Sequence, residues 1–137
     1  RRPPTCASRT VTAARATTCD KVAEDLNAAS DRVGLLVVAD GSARRSLKAP
    51  GYFDDRAEPY DSAIHQAIAS GELAALRTLD PLLARELMAS GWAALQVLAA
   101  AFRSYRPQTT VHYADAPFGV GYLVATIARS PAQSGDL

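Results

Sequence analysis

The chain has 137 residues, of which 48% are hydrophobic, enough apolar material for the core of one domain or of part of a larger one. Its 15 basic and 14 acidic side chains give a formal charge of +1, which excludes the strong positive field typical of nucleic-acid and membrane-surface proteins. No apolar run is long enough to span a membrane. A cysteine-poor, alanine-rich chain without a signal-peptide pattern is typical of a cytoplasmic protein.

The N-terminal stretch, residues 1–18, is rich in Arg, Thr, Ala and Pro and shows no apolar period. We expect it to be a flexible lead-in or an edge segment of something larger. The chain does not begin with methionine, which suggests that its first residue is not the start of the gene. Cys6 and Cys19 are too far apart for a CxxC pair, and we expect free thiols.

The apolar pattern after this stretch predicts a helix, a strand and a loop. Helical spacing of apolar residues indicates an amphipathic helix from Asp20 to about Ser30. Val33–Asp40 is apolar at almost every position, which is typical of a strand buried on both faces in a parallel sheet. The segment Gly41–Pro59 contains Gly, Pro and charged residues and should be a long loop.

The second half of the chain predicts helices followed by a hairpin. Four helical segments are expected, bounded by Pro, Gly and Asp-Pro signals: Pro59–Ser70, Glu72–Thr78, Pro81–Ala89 and Trp92–Ser104. Thr109–Tyr113 and Val120–Ala128 are β-rich and should pair antiparallel. The predicted fold class is therefore α/β: a central mixed sheet flanked by helices, with a C-terminal antiparallel hairpin.

The end of the predicted strand is the first candidate site. Enzymes with α/β folds usually place reacting side chains after such a strand, but here Asp40-Gly-Ser is followed by Ala43, Arg44 and Arg45. None of these three acts as a nucleophile or a base near neutral pH. Two guanidinium groups could bind a carboxylate or phosphate of a substrate, and pairing with the acids of residues 54–61 is the alternative.

The two histidines and the remaining acids are weaker candidates. His112 and Asp115 could form half of a metal site, but an ordinary hydrogen bond in a hairpin is the favoured interpretation of the histidine. His65 should point toward solvent, because it lies about 100° from the apolar stripe of its helix. The acids of residues 54–61 complement the dipole at a helix start.

Three stretches together resemble one family. They are "ADGSARR…KAPGYFDDRAEPYDSAIHQAI", "GELAALRTLDPLLARELMASGWAALQVLAAAF" and "VHYADAPFGVGYLVATI". This chain resembles the C-terminal half of LigB-like, class III extradiol ring-cleavage dioxygenases, especially the Memo-like branch and its alanine-rich actinobacterial members. The most specific motif is PFGVGY, Pro117–Tyr122. The resemblance implies that residues 19–137 are the C-terminal half of a larger LigB-like α/β domain.

The resemblance also implies a degenerate site. Ring-cleaving members bind non-haem Fe(II) through two histidines of their N-terminal half and one carboxylate, and use a histidine in a D-x-S-H-R-like pattern as acid and base. By that likeness Ala43 occupies the slot of the catalytic histidine. Asp115 stands where relatives have Glu, and its side chain reaches one methylene group less far than theirs. The N-terminal ligands have no counterpart in this sequence.

These observations leave three functional hypotheses open. The first is a divergent family protein or fragment without ring-cleavage activity or cofactor, retained for a binding or structural role. The second is an Fe(II)-dependent oxidoreductase that is completed by an N-terminal half. The third is an unrelated small α+β interaction domain. In each case the strand Val33–Ala39 needs neighbours, so we expect residues 1–18, self-association or a second chain to complete the sheet, and neither nucleic acid nor membrane as a partner.

Overall fold

A computed structural model describes residues 15–130 of the chain. The described part mixes helices with one antiparallel hairpin. In chain order its elements are α1 (Ala16–Ala28), α2 (Ala57–Ser70), a 3-10 helix (Leu73–Thr78), α3 (Pro81–Glu86), α4 (Trp92–Ala101), β1 (Arg106–Asp115) and β2 (Tyr122–Ser130). Most of the predicted lead-in lies outside the described residues, but α1 begins at Ala16, inside its predicted range.

The helix boundaries follow the capping signals of the sequence. Gly71 ends α2 in the left-handed conformation, with φ of 76°, which glycine adopts without a side-chain penalty. Asp80 begins α3 by accepting a hydrogen bond from the Leu82 backbone N–H at 2.8 Å. α3 ends at Glu86, three residues earlier than predicted, and Met88 has a positive φ of 56° that no helix continues through.

The core lies around α4. Eight of its ten residues are buried, and it packs against α1 and the 3-10 helix. Its polar side chains have partners: Gln96 donates to the Leu76 carbonyl at 2.7 Å and Trp92 to the Leu79 carbonyl at 2.8 Å. Because of these hydrogen bonds, a helix that is buried on almost every side can contain a glutamine.

α1 covers one side of α4 through Cys19 and Ala23, which are fully or almost fully buried. Cys19 is a free thiol, and burial raises its pKa. Asp20, beside it, binds the guanidinium groups of Arg77 and Arg103 at 2.7 and 2.9 Å. These ion pairs fix α1 to the 3-10 helix and to the residues after α4.

The predicted hairpin is confirmed; its first strand is longer than predicted, and its second strand begins and ends two residues later than predicted. β1 pairs antiparallel with β2 from Arg106 opposite Ser130 to Asp115 opposite Tyr122, with an irregularity between Val111 and Tyr113. His112 lies in this irregularity. Among the described residues no helix is long and apolar enough to cross a membrane.

The prediction for Val33–Asp40 is wrong in one respect. Among the described residues the segment is not paired in a sheet, and its side chains alternate between half-buried and exposed, which is the period of an extended backbone. Leu35 and Val37 pack on the helical core, whereas Leu36 and Val38 on the other face are 92% and 78% exposed. The physical reason is that the described residues form only a two-stranded sheet, which provides this segment with neither a neighbouring strand nor a second covering layer.

Candidate binding groove

A groove of about 1090 Å³ separates the extended segment Val33–Ala39 from β2. Neighbouring residues along both segments line it, including residues whose side chains point to opposite faces. This is expected where the edges of two strands face each other across a gap. Apolar side chains of α2, of α4 and of the residue that follows α4 form its floor: Ile64, Ile68, Leu95, Leu98 and Phe102. The groove therefore has an apolar floor between two backbone walls.

One end of the groove is polar. It lies where the extended segment ends, which is the usual position of ligand sites in α/β folds. Four carboxylates and one guanidinium line this end: Asp40, Glu58, Asp61, Asp115 and Arg45. Four negative charges against one positive charge leave a formal excess of three negative charges. The polar end should therefore attract a cationic group more readily than an anionic one.

Asp61 organises this end. Its Oδ1 accepts a hydrogen bond from the Ser42 backbone N–H at 2.8 Å, and its Oδ2 accepts one from the Ser42 hydroxyl at 2.6 Å. Arg45 Nη1 lies 3.3 Å from Oδ2 of the same carboxylate. Ser42 is completely buried, so its hydroxyl depends on this partner.

The loop Gly41–Arg45 and the motif Pro117–Tyr122 meet beside Asp61. The Gly121 N–H donates to the Ser42 carbonyl and the Arg45 N–H donates to the Gly119 carbonyl, both at 2.9 Å. A Cβ atom on Gly121 would lie 2.7 Å from Asp61 Cγ, so a side chain there would collide with the carboxylate. Gly119 has a φ of 75°, in the left-handed region. The glycines of PFGVGY thus permit close approach to the Gly41–Arg45 loop.

The structure separates the three residues that follow Ser42. Ala43 is buried and is not among the residues that line the groove; its N–H donates to the Leu87 carbonyl and its carbonyl accepts from Gly51 N–H. Arg44 does not line the groove either, because its Nη1 donates to the Glu86 carbonyl at 2.8 Å. Of these three residues only Arg45 lines the groove, and it pairs with Asp61. This is the alternative that the sequence offered, in which the arginines pair with the acids of residues 54–61. Joint binding of a substrate anion by Arg44 and Arg45 stays a prediction.

Asp115 lies at the polar end with an exposed side chain, and its Oδ1 accepts from the Ala116 N–H at 2.7 Å. His112 is exposed and forms a 2.9 Å hydrogen bond with the Thr126 hydroxyl, and His65 is exposed at the groove wall. Within residues 15–130 no group of three or more His, Cys, Asp and Glu side chains could hold a metal ion. These residues alone do not fit the three-ligand iron site that the resemblance implies.

The acids that the sequence grouped as helix-dipole partners have separate surroundings. Arg56 bridges Asp54 and Glu86 at 2.8 and 2.7 Å, and its hydrogen bonds lower the pKa of Asp54 to about 2. Asp61 instead holds the loop at Ser42, a role that sequence reasoning missed. The only sequence signal was the paired glycines of PFGVGY, which indicate close backbone approach without naming the partner.

Tyr60 lies beside this site in the core. It is 5% exposed, and its hydroxyl has no hydrogen-bond partner among the described residues. Burial, with smaller contributions from the charges of Asp61 and Asp80, raises its pKa to about 12. The neutral phenol is therefore the form that the fold stabilises.

Comparison of the sequence with models of protein families finds no match, and comparison with curated proteins finds none either.

Proposed function

We propose that this chain is a divergent LigB-like, Memo-like family protein or fragment without ring-cleavage activity in this form, retained for a binding or structural role. The observation that supports it is the junction at Asp61. The loop Gly41–Arg45 and the motif Pro117–Tyr122, which contribute most to the resemblance, are distant in sequence but share backbone hydrogen bonds and one carboxylate. Two motifs that close on one half-buried acid are expected of an inherited site.

Ala43 is the reason that we propose no ring-cleavage activity. The position that corresponds to the family's acid–base histidine has a methyl side chain, is buried, and lies outside the groove lining. Asp115 remains as one carboxylate at the polar end. In the finer part of the proposal, the unpaired segment Val33–Ala39 belongs to the central mixed sheet of a larger LigB-like fold, which its exposed Leu36 and Val38 support.

A second candidate is an Fe(II)-dependent ring-cleaving oxidoreductase whose remaining ligands come from another segment. The exposed carboxylate of Asp115 on the groove favours it, because ligands brought by that segment could reach it. When bound, Fe(II) would supply open coordination positions for catechol and oxygen. A solvated hairpin carboxylate is the simpler interpretation of the same side chain.

The experiment that separates these candidates is anaerobic loading with Fe(II), followed by elemental analysis and an assay with catechol. We expect no stoichiometric iron and no coloured ring-fission product from the chain. One tightly held iron per chain that is lost in Asp115→Ala, or ring fission by the unmodified chain, would overturn the proposal. Asp55→Ala, which removes an exposed carboxylate outside the groove lining, is the control.

A further inference from the structure

We propose that the groove is a docking slot for one extended strand of another polypeptide, with apolar side chains along its length and a cationic residue at the polar end. This inference depends on the backbone and charge of the groove and not on the family assignment. It would stand if the LigB-like proposal failed.

The first support is the unsatisfied backbone of Val33–Ala39. Among the described residues none of its N–H or C=O groups takes part in a hydrogen bond; the nearest bonds are Arg32 N–H to the Ser30 hydroxyl and Gly91 N–H to the Asp40 carbonyl. Extended backbone beside an apolar core normally pairs with a neighbouring strand. Within residues 15–130 this segment therefore offers a row of unpaired donors and acceptors.

The second support is the opposite wall. β2 pairs with β1 on one side, and in the described part of the chain its other edge is unpaired. The half-buried residues Leu123, Ala125 and Ile127 pack on the same core as Leu35 and Val37. The two walls thus rest on one apolar floor, as strands of one sheet do, with the gap between them.

The third support is charge. The groove closes at the contact between Gly41 and Gly121, and this closed end has the formal excess of three negative charges. Arg32 and Arg129 lie at the other end, with Asp31. Because of this gradient, we infer that a cationic residue of the docked strand lies beside Asp40 and Asp115.

These features favour a partner polypeptide over two other occupants. Residues 1–14 contain Pro3 and Pro4, which lack backbone donors, and few apolar residues for the floor. In a second copy of the chain, Arg32 beside the segment Val33–Ala39 would bring Asp31 with it, so that copy offers the acidic end no net positive charge. Extended peptides that add to open sheet edges gain affinity from main-chain hydrogen bonds and specificity from alternate side chains.

The test uses the 137-residue chain and a labelled synthetic peptide of sequence KVTVTVTVT, measured by fluorescence anisotropy. Two matched peptides accompany it: one with glutamate in place of lysine, and one N-methylated on alternate amides. We expect the lysine peptide to bind at least about tenfold more tightly than either, a difference of about 1.4 kcal/mol. Equal binding of the N-methylated peptide would show that the peptide adheres without strand pairing, and it would overturn the proposal. So would the absence of binding at about 1 mM peptide, which corresponds to a binding free energy weaker than about −4 kcal/mol.

Two protein variants test which edge is used. Successive N–H groups of a strand point to opposite edges, so Val37→Pro and Val38→Pro remove donors from opposite sides of the segment. We expect one variant to weaken peptide binding at least about tenfold and the other to bind within about twofold of the unmodified chain. Equal affinities in both folded variants would contradict edge docking. A dimer in light scattering that dissociates in one of these variants would assign the slot to a second copy and also overturn the proposal.

Discussion

Ser42 and Asp61 are 19 residues apart and share two hydrogen bonds, one from the serine N–H and one from its hydroxyl, at 2.8 and 2.6 Å. Ser42 is completely buried, and its carbonyl accepts from Gly121 at the same time. One carboxylate on α2 therefore determines where the loop after the extended segment lies and where the hairpin turn meets it. The groove's polar end depends on this acid.

Asp61→Ala should lower the free energy of unfolding by about 2–3 kcal/mol, because it leaves the buried Ser42 N–H and hydroxyl without their acceptor. Urea denaturation measures this effect. Asp55→Ala removes an equal charge from an exposed position and should change stability by less than about 0.5 kcal/mol. Equal effects of the two substitutions would show that Asp61 does not hold the loop.

Gly121→Ala should destabilise the chain by about 1–3 kcal/mol, because its Cβ would collide with the Asp61 carboxylate. Gly34→Ala is the matched control, since a Cβ at Gly34 meets no atom within 4 Å. It should be neutral or slightly stabilising, because alanine restricts the unfolded chain. Thermal unfolding of both variants checks the difference, and an undisturbed Gly121→Ala would refute the close approach.

Local signals in the sequence predicted the helices and the hairpin well. The stripe of Tyr60, Ile64, Ala67 and Ile68 is buried as its spacing indicates, and Gly71 and Asp80 form the predicted caps. The β-rich runs pair in the predicted antiparallel sense. These features depend on residues within a few positions of one another. The prediction that Val33–Asp40 is buried on both faces was wrong. The composition of a segment indicates how apolar it is, whereas its pairing and burial depend on which other strands are present.

The candidate site was less predictable for the same reason. Ser42 and Gly121 lie in recognisable motifs, but their common partner Asp61 is one of several acids on and before α2. Sequence spacing could not separate Asp61 from Asp54, which instead binds Arg56. It also could not show that Arg44 and Arg45 would diverge, because adjacent loop residues have no fixed relative direction. Long-range contacts of single side chains determine the site.

Ala43→His, which restores the residue type of the family's acid–base position, should not produce ring cleavage in this chain. The side chain of residue 43 is buried and lies outside the groove lining, so an imidazole would be overpacked rather than presented to a ligand. We expect a loss of about 1–3 kcal/mol in stability and no activity with catechol and Fe(II). His65→Ala, at an exposed position, controls for the assay conditions. Ring-fission product from Ala43→His would place the residue in a working site and contradict the proposed loss of chemistry.

Tyr60→Phe should change the pH dependence of stability in the alkaline range. The pKa of Tyr60 rises from 10.0 to about 12 on folding, because burial disfavours its phenolate. The folded state therefore keeps a proton that the unfolded state releases, so the contribution of Tyr60 is complete below pH 10 and is lost as the pH rises toward 12. At about pH 11 the unmodified chain should lose roughly 1 kcal/mol of its free energy of unfolding, which Tyr60→Phe retains.

Near neutral pH the variant should be as stable or slightly more stable, because it removes a buried hydroxyl without a partner among the described residues. Urea denaturation of both proteins at the two pH values measures the difference, and parallel pH profiles would show that the phenol titrates as it does in the unfolded chain.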